Sequence, residues 1–177
     1  MPDRAQPVDL YFIRHGIAAD RADYTRDADR PLTNRGRERT TRVASRLLEL
    51  DIHFDRLLTS PLVRARQTAD ILKDLGLGTT VEIHPALAPG GAIADWLTWW
   101  EQRPSGSNTA APAIALVGHQ PDLGEWAETM VWGTACGKLP IKKAGIVCIR
   151  IPAAADPRGR GELLLAVGPK WILPSPL

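Results

Sequence analysis

Cysteine is scarce in this chain. Two in 177 residues, Cys136 and Cys148, exclude a disulfide-built scaffold, and their spacing matches neither a C-x-x-C redox pair nor a zinc knuckle. Both stand among apolar neighbours and are expected to be small buried hydrophobes in a reducing compartment. No apolar run exceeds five residues, as in Leu163 to Val167, so no membrane-spanning helix is expected. The opening Met1-Pro2-Asp3-Arg4 shows no basic stretch followed by a long apolar one, so no secretory signal is expected and a cytoplasmic location is. An excess of one charge is also missing. Lys+Arg number 22 and Asp+Glu 20, a net +2 that gives no bulk attraction to nucleic acid or to a membrane surface. No internal repeat, Walker A pattern or G-x-G-x-x-G occurs, which argues against nucleotide binding. None of the four histidines has H-x-H or H-E-x-x-H spacing, so no metal site and no cofactor are expected.

What is present is a globular composition, 44% hydrophobic and 24% charged, on a length that suits a single domain over residues 1–177. Seventeen of the 22 cations are arginines, whose planar forks suit phosphate and carboxylate, although an Arg-rich genome gives the same count. Strand-like runs at 8–13, 56–59, 81–84 and 113–117 alternate with helical patterns at about 33–50, 61–76, 92–101 and 121–133. In the first helix Thr33 is placed as cap, with Val43, Leu47 and Leu50 on one face. Its arginines at 35, 37, 39, 42 and 46 form a solvated face rather than a nucleic-acid site, since no aromatic stacking motif accompanies them. In the second helix Ser60 is placed as side-chain cap and Pro61 at the first helical position. Trp96, Trp99 and Trp100 recur at helical spacing and are expected to pack in the core. Residues 103–112 form an exposed loop, and two last strands at 145–151 and 162–168 are antiparallel. The alternation predicts an α/β fold: three α/β/α layers with a mainly parallel central sheet and at least one antiparallel strand.

Three polar signals share one topological place. Arg14-His15-Gly16 follows the first strand, Ser60 and Arg64 the second, and Gly118-His119 the strand at 113–117. Ligands of an open α/β sheet bind at the carboxyl ends of parallel strands, where helix N-termini also aim their N–H groups. Such an edge is built for an anion. A neutral imidazole, His15, can accept a phosphoryl group on nitrogen. Arg14 and Arg64 can spread the phosphoryl charge, and His119 can donate to it or add positive charge. Gly16 would let the chain turn and the phosphate approach the backbone. With that charge supplied by side chains, no Mg²⁺ is required. Lys142-Lys143 would mark a rim that attracts an acidic partner. His53 and His84 fit no motif.

Leu10-Tyr11-Phe12-Ile13-Arg14-His15-Gly16 resembles the signature of the histidine phosphatase superfamily, the phosphoglycerate mutase-like or R-H-G family. Ser60-Pro61-Leu62-Val63-Arg64-Ala65 is similar to its second arginine motif, Val117-Gly118-His119 to its second-histidine motif, and Leu32-Thr33-Asn34-Arg35-Gly36 to its Leu-Thr-x-x-Gly helix start. The four stand in family order. The resemblance implies a phosphoglycerate mutase-like fold, a phosphorylated nucleophile at His15, and a phosphate pocket completed by Arg14, Arg64 and His119, with Gly16 and Ser60 beside them. The length and the Arg-Pro-Leu-Thr context are most similar to SixA-type phosphohistidine phosphatases. Larger members insert segments that build a lid, for which 177 residues leave little room, and an open site would suit a phosphohistidine carried on a protein.

The chain departs from the family pattern twice. Ile17-Ala18-Ala19-Asp20-Arg21 lacks the asparagine usual in mutases, and Ala86-Leu87-Ala88-Pro89-Gly90-Gly91 lacks the glutamate that serves as general acid. Asp20 is the candidate acid; Glu82, Asp95 and Glu101 sit in no motif. An alkoxide leaving group gains about 10²–10⁴-fold from an acid, whereas a phosphorylated imidazole can be protonated by solvent. The expected partner is therefore a phosphohistidine protein, and the expected function a metal-independent phosphatase. The alternatives are a broad phosphomonoesterase of small phosphorylated metabolites and a non-catalytic phosphate-binding module. The sequence leaves the oligomeric state open.

Overall fold

Strand β1 (Val8–Arg14) is a β-rich run whose alternation divides two cores. Leu10 and Phe12 point into one, while Ile13 and the half-buried Tyr11 point into the other. The computed structural model describes residues 6–103, 112–153 and 156–174. In it β1 is joined by β2 (Arg56–Thr59), β3 (Val81–Ile83), β4 (Ala113–Gly118), β5 (Ile146–Ile151) and β6 (Glu162–Val167) in one sheet of order β3-β2-β4-β1-β5-β6. Strands β3, β2, β4 and β1 run parallel, and β5 and β6 are each antiparallel to the neighbour before them. The expected α/β architecture is the one observed.

The two cores make the three layers. Helices α1 (Asn34–Glu49) and α2 (Val63–Asp74) cover one face through Val43, Ala44 and Leu47 and through Ala65, Ala69 and Leu72. The short α5 (Pro169–Ile172) ends on the same side, where Ile172 and Leu173 pack. Helices α3 (Ile93–Gln102) and α4 (Asp122–Trp132) cover the other face. There Trp96 stacks on Trp100 with ring centroids 5.6 Å apart and lies 6.2 Å from Trp126. Trp96 and Trp100 are wholly buried, and truncating a buried tryptophan to alanine costs about 3–5 kcal/mol. The central β4 serves both layers, with Ala115 and Val117 toward α1 and α2 and Ile114 and Leu116 toward α3 and α4.

Several local expectations need correction. Thr33 caps α1, its Oγ1 accepting from Gly36 N at 3.0 Å, but Leu50 is the C-cap and is 50% exposed rather than part of the apolar face. Ser60 does not cap α2: that helix begins at Val63 with Leu62 at its cap and Pro61 outside it, and the Ser60 hydroxyl is used elsewhere. Cys148 is buried as expected, but Cys136 is exposed, because it lies past the end of α4 beyond Gly133. Most of the expected loop at 103–112, residues 104–111, lies outside the described residues, as do 154 and 155 of the turn-rich connection between β5 and β6. Among the described residues no helix is long and apolar enough to cross a membrane.

Candidate active site

Parallel strands bring their carboxyl ends to one edge, and backbone hydrogen bonds line those ends up. His15 N donates to Gly118 O at 3.0 Å, Ser60 N to Val117 O at 2.9 Å, and His84 N to Thr59 O at 2.8 Å. Arg14, His15, Arg64 and His119 thereby line one cleft of about 340 Å³, together with Asp27, Arg30, Gln120 and Lys143. Its wall is dominated by cations.

Hydrogen bonds assign the His15 tautomer. Nδ1 lies 2.7 Å from the Gly16 carbonyl, which can only accept, so Nδ1 carries the proton. Nε2 in turn receives the Arg64 Nε–H at 3.3 Å, so Nε2 holds a lone pair. Burial, together with the charges of Arg64, Arg14 and Lys143, pulls the His15 pKa down to about 3 although the Gly16 bond opposes it. The result is a neutral, oriented imidazole with its nucleophilic nitrogen facing an arginine.

His119 is tied by its other nitrogen. Its Nε2 lies 2.8 Å from Ser60 Oγ, and that oxygen already accepts from Leu62 N at 3.3 Å. Among the described residues the Ser60 hydroxyl has no other acceptor, so its one proton is assigned to the hydrogen bond with His119 Nε2, which leaves Nδ1 protonated. Nδ1 is buried and, among the described residues, has no hydrogen-bond partner. Burial, then the neighbouring His15 and Arg64, lower its pKa to about 3 as well, so His119 faces the cleft as a neutral donor and not as a positive charge. The two rings lie 5.1 Å apart.

Arg64, on the first turn of α2, is 4% exposed. Its Nη1 donates to the Asp27 carbonyl at 2.8 Å and its Nη2 to Asp27 Oδ2 at 2.9 Å, so one acidic residue holds the fork while Nε faces His15. Arg14 is held by Nη1 donating to Ile141 O at 2.9 Å, and its Nε is buried with no hydrogen-bond partner among the described residues.

Three sequence-predicted site residues sit differently from expectation. Ser60 is wholly buried, is not among the residues lining the cleft, and its hydroxyl lies against His119. Gly16 spends its N–H on Thr68 Oγ1 at 3.1 Å and its carbonyl on His15. It is a glycine because a Cβ there would meet Thr40 Oγ1 at 2.5 Å, just as one on Gly36 would meet the Ile17 carbonyl at 2.0 Å. Asp20 is exposed, accepts from Ala22 N at 2.9 Å, and does not line the cleft. Among the described residues the carboxylate that lines the cleft is Asp27. Burial pushes its pKa up, but the Arg64 hydrogen bond and the charges of Arg64, Arg30 and Arg21 outweigh this and hold it below its usual range. Asp27 is an anion that clamps Arg64, poorly suited to give a proton.

Sequence reasoning missed Asp27, Thr68 and Ile141. The only signal for Asp27 was its position three residues ahead of Arg30, with which it pairs at 2.9 Å. Among the described residues no three His, Cys, Asp or Glu side chains are grouped to hold a metal ion.

Comparison with known proteins follows this geometry. A family profile described as the histidine phosphatase superfamily (branch 1) matches residues 10–89, a span that contains Arg14, His15 and Arg64 and stops before His119. An uncharacterized protein of Picosynechococcus sp. is 50% identical over 171 residues, 94% of this chain and 100% of the relative. The phosphohistidine phosphatase SixA of Escherichia coli (strain K12) is 29% identical over 116 residues, 65% of this chain and 69% of that protein. The solved structure of the protein histidine phosphatase SixA complexed with tungstate superposes with a TM-score of 0.77 at 23% identity, covering 93% of this chain and 99% of that one. At that identity the likeness is one of fold.

Proposed function

The chain belongs to the histidine phosphatase superfamily, branch 1, and from that premise we propose that it is a metal-independent phosphatase that removes the phosphoryl group from phosphohistidine on a protein, through a covalent intermediate on His15. The observation that carries this reading is the hydrogen bonding of His15: Nδ1–H is fixed on the Gly16 carbonyl and the Nε2 lone pair is left beside Arg64. In the first step Nε2 attacks phosphorus, the P–N bond of the substrate imidazole breaks, and the departing nitrogen takes its proton from solvent. In the second step water attacks phosphorus, the His15 P–N bond breaks, and phosphate and neutral His15 are regenerated. Arg14, Arg64 and the His119 Nδ1–H stabilise charge on the phosphoryl oxygens in both steps.

The choice of a P–N bond over a P–O bond rests on the acid. Among the described residues the one carboxylate lining the cleft, Asp27, is held ionised by its arginines. A sugar alkoxide would leave without a proton donor; a protonated imidazole needs none. The test is turnover of a phosphohistidine peptide against 3-phosphoglycerate, with an expected advantage of about 10²-fold or more in kcat/KM for the peptide. Faster turnover of 3-phosphoglycerate would reject the reading.

A further inference from the structure

The cleft carries more positive charge than one phosphoryl group uses. Among the described residues Arg14, Arg30, Arg64 and Lys143 line it against the single carboxylate of Asp27, with both histidines neutral. A phosphoryl group brings a charge of about −2, so one cation is left over. The pairings identify it. Arg64 and Arg30 share Asp27, at 2.9 Å each, and Arg14 is fixed on the Ile141 carbonyl. Lys143 is exposed, and among the described residues it has no ion-pair or hydrogen-bond partner.

Its place at the mouth is held firmly. The next residue, Ala144, is buried and left-handed, with φ 58°, a conformation that costs a non-glycine residue about 1–2 kcal/mol. That strain is offset by hydrogen bonds to the nucleophile segment itself. Ala144 N donates to Arg14 O at 3.1 Å and to His15 O at 3.2 Å, and Arg14 N donates to Gly145 O at 3.2 Å. Upstream, the wholly buried Glu128 accepts from the N–H groups of Cys136, Gly137 and Lys138 at 2.6, 2.7 and 2.5 Å and fixes the start of the same loop. The backbone fastened to Arg14 and His15 thus holds the exposed Lys143 on the lining of the cleft.

We propose that Lys143 forms a second anion subsite at the mouth of the phosphate cleft, taking a carboxylate that the substrate carries close to its phosphoryl group. The proposal rests on the phosphatase reading for what fills the inner site. On a protein substrate the carboxylate would belong to an acidic residue beside the phosphohistidine; on a small molecule it would belong to the same compound.

Two non-hydrolysable probes test the subsite without chemistry. By calorimetry, wild type should bind 3-phosphonopropionate about fivefold more tightly than propylphosphonate, the worth of one partly exposed charge pair. Lys143→Gln should erase that ratio, Lys143→Arg should keep it, and Lys73→Gln, on α2 outside the cleft, should leave it unchanged. Equal binding of the two phosphonates by wild type, or a ratio that survives Lys143→Gln, overturns the subsite. So does a ratio lost in Lys73→Gln, which would mean diffuse attraction. Phosphohistidine peptides flanked by Glu or by Gln locate the source. A Lys143-dependent preference for the Glu peptide supports a protein carboxylate, and a preference confined to the phosphonates supports a small-molecule one. If neither peptide is turned over while the phosphonate ratio holds, the phosphohistidine reading fails and the subsite stands.

Discussion

His15 and His119 are the same side chain in closely similar surroundings, with ring centroids 5.1 Å apart, both buried and both with pKa values lowered to about 3. They differ in which nitrogen is tied. His15 gives Nδ1–H to a backbone carbonyl and keeps an Nε2 lone pair, whereas His119 receives a hydroxyl proton at Nε2 and keeps an Nδ1–H. Burial alone would make two equivalent neutral imidazoles. One partner on each, Gly16 O and Ser60 Oγ, leaves one ring with the free lone pair that the proposed attack needs and the other with an N–H to donate.

That distinction can be broken experimentally. His15→Ala removes the attacking atom and should lower kcat by about 10⁴-fold or more. His119→Ala removes only a donor to the phosphoryl oxygens and should cost about 10²-fold. Steady-state rates on a phosphohistidine peptide measure both, and equal losses would erase the difference between the rings. Ser60→Ala acts through His119 and should cost about fivefold, the worth of one neutral hydrogen bond. A Ser60→Ala loss as large as that of His119→Ala would mean that the hydroxyl does more than set a tautomer.

Acid sharpens the comparison on the stability side. Both imidazoles stay neutral in the folded chain while the unfolded chain takes up protons near 6.5, so the unfolded state binds more protons and stability falls as pH drops below about 6.5. The extra slope is at most about 2.7 kcal/mol per pH unit for two protons. His84, whose pKa burial also lowers, adds in the same direction. Urea denaturation at pH 7, 6 and 5 should show the decline, and a His15→Gln, His119→Gln double variant should flatten it. An unchanged slope in the double variant would contradict the buried neutral assignment.

Legibility differed between the two sides of the site. The strand ends were readable because β-rich runs stopping at Arg14, Thr59 and Gly118 fix the parallel edge, and the expected four residues of the pocket line it together. Thr33 was readable as a cap because a hydroxyl three residues before a glycine amide is a local pattern. Ser60 looked like the same pattern but was not: α2 starts at Val63 with Leu62 at its cap, and the Ser60 hydroxyl, besides accepting from Leu62 N, meets His119, 59 residues away. Asp27 was unreadable for the same reason: Arg64 is 37 residues away, and nothing in a charge-dense loop marks which carboxylate will meet it. Asp20 is closer to His15 in sequence than Asp27 is, yet it accepts from Ala22 N and does not line the cleft. Tautomers were wholly outside the sequence, since each depends on one contact made only in the fold.

The central claim, that His15 Nε2 carries the phosphoryl group, is tested most directly by trapping the protein with a ³²P-labelled phosphohistidine substrate and mapping the label. The account predicts an acid-labile, base-stable label on the peptide containing His15, absent in His15→Ala and still present in His119→Ala. Label on His119, label that persists in His15→Ala, or steady turnover by His15→Ala at the wild-type rate would contradict it.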